Sequence, residues 1–162
     1  MAQEIERKFL VADPSFLKSL TGSQIKQGYI PGTERSAARI RIRGSSAFLT
    51  LKSETRGITR SEFEYEIPVV DAEEMLKTLC APPHIEKTRY VMEWKGHTWE
   101  VDVFHGGNEG LIVAEIELAT ADQAFEKPPW LGREVSQDVR YFNSNLAHCP
   151  YGNWLDEGRA GV

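Results

Sequence analysis

Charge and hydrophobicity alternate with a period of two residues along most of this chain, beginning with the first segment. In Glu4-Ile5-Glu6-Arg7-Lys8-Phe9-Leu10-Val11, the side chains of Glu4, Glu6 and Lys8 fall on one face of an extended strand and those of Ile5, Arg7 and Phe9 on the other. A half-buried strand in an ordinary sheet turns its apolar face to the core and its charged face to water. Here the pattern returns in segment after segment, acids dominating some and bases others. Many strands that each carry one charged face fit a closed sheet whose charged faces line an interior. An interior of that kind calls for a polyanion held with metal ions.

Eight strand-like runs can be placed at about 3–11, 25–31, 37–43, 47–54, 60–69, 86–94, 97–105 and 111–118. Gly44-Ser45-Ser46, Gly57 and Lys95-Gly96-His97 separate neighbouring runs and read as hairpin turns. Four short helices are expected. One opens at Asp13-Pro14, one spans Asp71 to Leu79 and ends near Pro82-Pro83, one runs near 120–126, and the last covers about 138–148. The fold class expected is therefore α+β, an eight-stranded antiparallel closed barrel with short helices packed outside. The 162 residues make one domain, with a core over 3–148 and a C-terminal tail over 149–162.

Sorted by strand parity, the acids of the inner face are Glu4, Glu6, Glu62, Glu64, Glu100, Asp102, Glu115 and Glu117, with Glu66 in phase but placed at the surface near Pro68. The bases are Lys8, Arg39, Arg41, Arg43, Lys52, Lys87 and Arg89. Neither set can be buried alone, because uncompensated buried charge costs more than its packing returns. Guanidinium forks and ammonium groups match phosphate oxygens, and carboxylates with open coordination suit hard divalent cations such as Mg²⁺ or Mn²⁺. A polyphosphate with divalent metal satisfies both halves. The net charge of −5 argues against a general nucleic-acid binder. No apolar run approaches the length of a membrane span, and Cys80 and Cys149 lack metal or disulfide spacing, so a cytoplasmic protein with no membrane partner is expected. The four histidines read as loop residues and Trp94, Trp99 and Trp130 as packing.

The ordered blocks Glu4-x-Glu6-x-Lys8, Arg39-Ile-Arg41, Thr50-Leu-Lys52, Glu62-x-Glu64, Glu86-Lys87-Thr-Arg89-Tyr90, Glu100-Val-Asp102, Glu115-Ile-Glu117 and Asp138-Val-Arg140-Tyr141 resemble the CYTH superfamily, the triphosphate tunnel metalloenzymes, across residues 3 to about 147. The resemblance implies an eight-stranded tunnel that processes triphosphates with Mg²⁺ or Mn²⁺. Lys8, Arg39, Arg41, Lys52, Lys87 and Arg89 would hold the phosphate chain. Glu4, Glu6, Glu115 and Glu117 would hold metal, with Glu62, Glu64 and Asp102 as further ligands or groups behind them. Arg43 is in phase but is not required by the family pattern. The segments Ile25-Lys26-Gln27-Gly28-Tyr29-Ile30 and Pro128 to Ser136 resemble the short bacterial members, which implies hydrolysis of inorganic tripolyphosphate to pyrophosphate and phosphate. The alternatives on the same tunnel are a thiamine or nucleoside triphosphatase, a class IV adenylyl cyclase, or a non-catalytic polyphosphate sensor. Lys8 is expected to act as a base oriented by Tyr29. The partner expected is a small-molecule polyphosphate, with the protein a monomer or a homodimer.

Overall fold

The structure is a computed structural model that describes residues 2–54 and 58–154, with the main chain alone for residues 2–4. The turn at Gly57 and the end of the expected tail lie outside the described residues. Among the described residues nine strands form one antiparallel sheet: β1 (Ala2–Val11), β2 (Ser23–Thr33), β3 (Ser36–Arg43), β4 (Ser46–Ser53), β5 (Thr59–Ile67), β6 (Ile85–Trp94), β7 (His97–Phe104), β8 (Ile112–Glu117) and β9 (Leu131–Glu134). The order is β5-β4-β3-β2-β6-β7-β8-β1-β9, and a further β5–β1 pairing closes the first eight into a ring. The eight expected strands are all present.

Closure is shared along β1. Its first half pairs with β5, Ile5 opposite Thr59, while Glu6 to Leu10 pair with β8. Where β5 ends, β9 takes over the same edge, with Phe9 opposite Glu134 and Val11 opposite Leu131. The sequence reading missed β9 because four residues are too few to show a period. Between the two pairings, Val135 donates its N–H to the Lys8 carbonyl at 2.8 Å and Ser136 Oγ accepts the Lys8 N–H at 2.9 Å. The main chain of Lys8 is thereby satisfied on the edge away from β8, where neither β5 nor β9 pairs with it.

Local chemistry sets the hairpins. Lys95 and Gly96 both have positive φ (50° and 82°), the conformation of a two-residue turn whose twist matches its strands. β7 opens at His97, where the expected strand 97–105 begins, so the turn itself is Lys95-Gly96. Asp13 caps a 3₁₀ helix at Pro14–Ser19 by accepting the Ser15 N–H. Helix α1 (Val69–Thr78) starts two residues before the expected Asp71, with Pro68 at its N-cap position. No helix forms at 120–126, which runs as a turn followed by irregular chain; Gln123 turns its side chain back to accept the Ala119 N–H at 2.6 Å. The expected helix at 138–148 is divided into a 3₁₀ turn (Val139–Tyr141) and α2 (Asn143–His148), with the extended Phe142 between them.

Outward-facing apolar residues are covered in two places, and a third apolar layer fills the inner face at one end of the ring. α1 lays Ala72, Leu76 and Cys80 on Ile40 and Ala47, and Gly28 allows the approach: a Cβ there would stand 2.9 Å from both Cys80 Cβ and Leu76 Cδ2. Phe9, Trp99, Val101 and Ile116 pack under Leu17 and Trp130. Leu10, Ile85, Phe104 and Val113 pack under Tyr141 and Leu146. Residues 149–154, assigned to the tail, belong to this last layer: Trp154 meets Tyr141 and Tyr151 edge-on, and its Nε1 donates to the Cys149 carbonyl. Cover is incomplete on β4 and β5, where Leu51, Phe63 and Tyr65 are exposed on the outer face. No described helix is long and apolar enough to cross a membrane.

Candidate active site: a charged cavity inside the strand ring

Inward-facing residues of the ring line a cavity of about 270 Å³, near the lower end of the range for small-ligand sites, roughly 300 Å³. Its basic wall residues are Lys8, Arg39, Arg41, Arg43, Lys52, Arg60, Lys87 and Arg89, and its acidic ones Glu6, Glu62, Glu64, Glu100, Glu115 and Glu117. Tyr29 is also in the wall. Nearly every expected site residue is therefore brought to one space. Asp102 lies just behind the wall, and the side chain of Glu4 lies outside the described residues, although its main chain pairs with Arg60.

The strand register accounts for this convergence. Tyr29 stands opposite Arg39, Gln27 opposite Arg41, Arg89 opposite Asp102 and Lys8 opposite Glu115. Each pair brings two in-phase side chains to the same face.

Asp102 organises one wall. It is 1% exposed, as is Lys87. Its Oδ2 accepts from Lys87 Nζ at 2.7 Å and Arg89 Nη2 at 2.8 Å, and its Oδ1 accepts from Arg89 Nε at 2.8 Å. Burial works against this carboxylate, yet Lys87 and Arg89 hold it far below the usual range. Burial also works against the Arg89 guanidinium, but Asp102 outweighs it and keeps Arg89 firmly charged. Burial pushes Lys87 down to about 7, with Asp102 opposing and Arg89 and Arg41 assisting. These three groups form a built-in counter-ion set in which both Asp102 oxygens already serve cations.

Two pairs of acids stand directly opposite one another, Glu100 with Glu115 and Glu6 with Glu117. Like charges in that register destabilise a strand pair unless cations intervene. Lys8 lies 3.6 Å from Glu115, and Arg89 donates to Glu100 at 3.1 Å. Burial opposes the Glu115 carboxylate, but Lys8 and Arg89 pull it down to about 2, so it is ionised at neutral pH. On the facing wall, Arg39 donates to Thr50 Oγ1 at 3.2 Å, and Thr50 in turn donates to Glu64 at 3.1 Å.

Among the described residues no three acids, histidines or cysteines are close enough together to hold a metal ion by themselves. The donor set nonetheless fits a hard divalent cation. It is all oxygen, its acids are paired across strands, and Mg²⁺-type ions take one or two carboxylates and complete their shell with water and phosphate oxygen.

Lys8 Nζ donates to the Tyr141 carbonyl at 3.3 Å and lies over the Phe142 ring, while Tyr29 Oη accepts from Gln27 Nε2 at 3.1 Å. The two share the cavity with no hydrogen bond joining them. Sequence reasoning missed Arg60, Gln27, Thr50, Ser136 and Asn143. Arg60 is in phase with Glu62 and Glu64, so the parity sort could have found it. Gln27 and Thr50 were passed over because only charged residues were sorted. Ser136 and Asn143 enter from outside the ring and leave no strand signature.

The chain matches the CYTH domain over residues 2–148. It belongs to the CYTH family. An inorganic triphosphatase of Acetivibrio thermocellus is 47% identical over 156 residues, 96% of this chain and all of that one. One of Nitrosomonas europaea is 42% identical over 149 residues, 89% of this chain and 96% of the relative. A crystal structure of an inorganic triphosphatase superposes with a TM-score of 0.63 at 40% identity, covering 91% of this chain and 95% of that one. The strand ring and its charged lumen are thus those of a CYTH protein.

Proposed function

We propose that this CYTH protein hydrolyses inorganic tripolyphosphate to pyrophosphate and phosphate inside the strand ring, with a divalent cation, Mg²⁺ or Mn²⁺. The observation that carries the reading is Arg41. Its Nε donates to the neutral Gln27 Oε1 at 2.7 Å, and among the described residues it has no carboxylate partner. Burial, with Arg39 and Arg89 nearby, pushes it down to about 10, yet it stays charged at neutral pH. An arginine held in the tunnel by a neutral amide, beside other cations, fits an anion that arrives from solution. The curated relatives are inorganic triphosphatases over nearly their full length, which supports bare tripolyphosphate over an organic triphosphate.

The chemistry is positioning and charge stabilisation, as phosphoryl transfer requires. Arg39, Arg41, Lys87 and Arg89 bind the chain of phosphates, with Lys52 on the neighbouring β4 and Lys8 on β1. Asp102 holds Lys87 and Arg89 in place without itself touching substrate. Glu4, Glu6, Glu115 and Glu117 would hold the metal, with Glu62 and Glu64 nearby. A bound divalent cation acidifies water and offsets charge on phosphate oxygens. The preformed cationic wall stabilises charge developing on the transferred phosphoryl group at no reorganisation cost. Lys8 acts as base, with Tyr29 in the wall of the same cavity. A cytoplasmic location accompanies the reading, since Cys80 and Cys149 are both free thiols.

The test is phosphate release from tripolyphosphate, ATP and thiamine triphosphate, with Mg²⁺, Mn²⁺ or chelator. Fast, metal-dependent release from tripolyphosphate is expected. Preferred turnover of either organic triphosphate, or binding without release, would overturn the reading.

A further inference from the structure

One wall residue of the cavity comes from a helix. Asn143, the first residue of α2, reaches the lumen beside Lys87 and Gln27. Its Oδ1 accepts from Lys87 Nζ at 2.8 Å and from Gln27 Nε2 at 3.1 Å.

The orientation of both amides is fixed by chemistry. An ammonium group can only donate, so the Asn143 atom facing Lys87 is the oxygen. The same holds at the other end, where Arg41 Nε can only donate and therefore faces Gln27 Oε1. Gln27 must then present its nitrogen to Asn143, which is what the first assignment requires. Two assignments made from opposite cations agree.

The Asn143 oxygen is thus occupied by two donors, and with an ammonium 2.8 Å away it is no place for a metal cation. The amide nitrogen on the other side of the same carbon has two protons and no hydrogen-bond partner among the described residues, in a side chain that lines the cavity. A neutral donor there adds a hydrogen bond to an anion without adding charge to a wall already crowded with cations.

We propose that Asn143 is a substrate-binding residue whose amide nitrogen donates to a phosphate oxygen of the bound triphosphate, oriented for that purpose by Lys87 and Gln27. The inference rests on the triphosphatase reading above. It gives α2 a part in recognition beyond covering the apolar layer around Leu146.

Asn143→Asp separates this role from a structural one. An aspartate still accepts from Lys87 and Gln27 but turns a second, anionic oxygen towards the phosphates. Thermal denaturation and tripolyphosphate kinetics are measured for the wild type, Asn143→Asp and Asn143→Ala. The wild type must turn over tripolyphosphate, and failure there counts against the functional reading itself. Given that turnover, Asn143→Asp is expected to melt at or above the wild-type temperature while its KM rises roughly 10- to 100-fold. Asn143→Ala is expected to raise KM about tenfold. If both variants keep KM within about twofold of wild type, whatever their melting temperatures, the proposal is overturned and Asn143 is only a tie between α2 and the ring. Should Asn143→Asp fail to fold, the KM of Asn143→Ala decides alone.

Discussion

Replacing Asp102 with asparagine should expose the electrostatic framework of the tunnel wall. The carboxylate is 1% exposed and accepts three charge-assisted hydrogen bonds, one from Lys87 and two from Arg89. Asparagine keeps the shape but removes the charge and turns an N–H₂ group towards donors that have nothing to accept it. Breaking a buried ion pair on one side costs about 3–5 kcal/mol, because the remaining charges lose their counter-ion. At this chain length each 1 kcal/mol lowers the melting temperature by about 2–4 °C, so a fall of roughly 6–20 °C is expected. The deficit should depend on pH with a definite sign. Lys87 sits near 7 in the wild type, and without Asp102 its folded value falls further. The Lys87 share of the deficit is therefore present below about pH 7, where the wild-type ammonium is charged, and vanishes well above it, where both proteins hold a neutral amine. The Arg89 share persists at all these values. Thermal denaturation of substrate-free protein at pH 6 and pH 9 measures both. A variant melting within 2 °C of wild type at pH 6, or losing more stability at pH 9 than at pH 6, would refute the counter-ion role.

Arg41→Ala should raise KM for tripolyphosphate roughly 10- to 100-fold, and Arg41→Lys should recover only part of it, because an ammonium cannot bond Gln27 and phosphate with the same fixed fork; steady-state kinetics decide. Glu115 is held at about 2 against an ordinary 4.5, so its stabilisation is complete above about pH 4.5 and is lost as pH falls towards 2. Urea denaturation at pH 6 and pH 3 should show that loss, on the order of 2–3 kcal/mol for this group alone, and a Glu115→Gln variant should lose correspondingly less. Gly28→Ala puts a methyl group 2.9 Å from Cys80 Cβ and Leu76 Cδ2, so stability should fall by about 1–3 kcal/mol in a chemical denaturation series. Tyr29→Phe should change the pH profile of kcat if Tyr29 supports Lys8 as base; an unaltered profile removes that role.

The strand ring was legible in the sequence because a two-residue period, once broken by turns, leaves few alternatives. All eight strands and the inner charges from Glu6 to Glu117 followed from parity, since a closed sheet leaves in-phase residues only one place to go. What parity cannot read is anything brought to the lumen by tertiary packing. β9 was invisible at four residues, yet the segment that follows it satisfies the main chain of Lys8 through Val135 and Ser136. The helix expected near 120 does not form; Gln123 turns its side chain to the Ala119 N–H instead. The neutral residues are the larger omission. A sort by charge finds the cations that attract an anion, but not the amides that aim them. Arg41 bonds Gln27, Gln27 bonds Asn143, and Asn143 bonds Lys87, so two tunnel cations are joined through two uncharged side chains. Neutral connectors suit this task for a physical reason. A carboxylate in place of Gln27 would tie up Arg41, whereas the amide fixes its direction and leaves most of the charge to the phosphate.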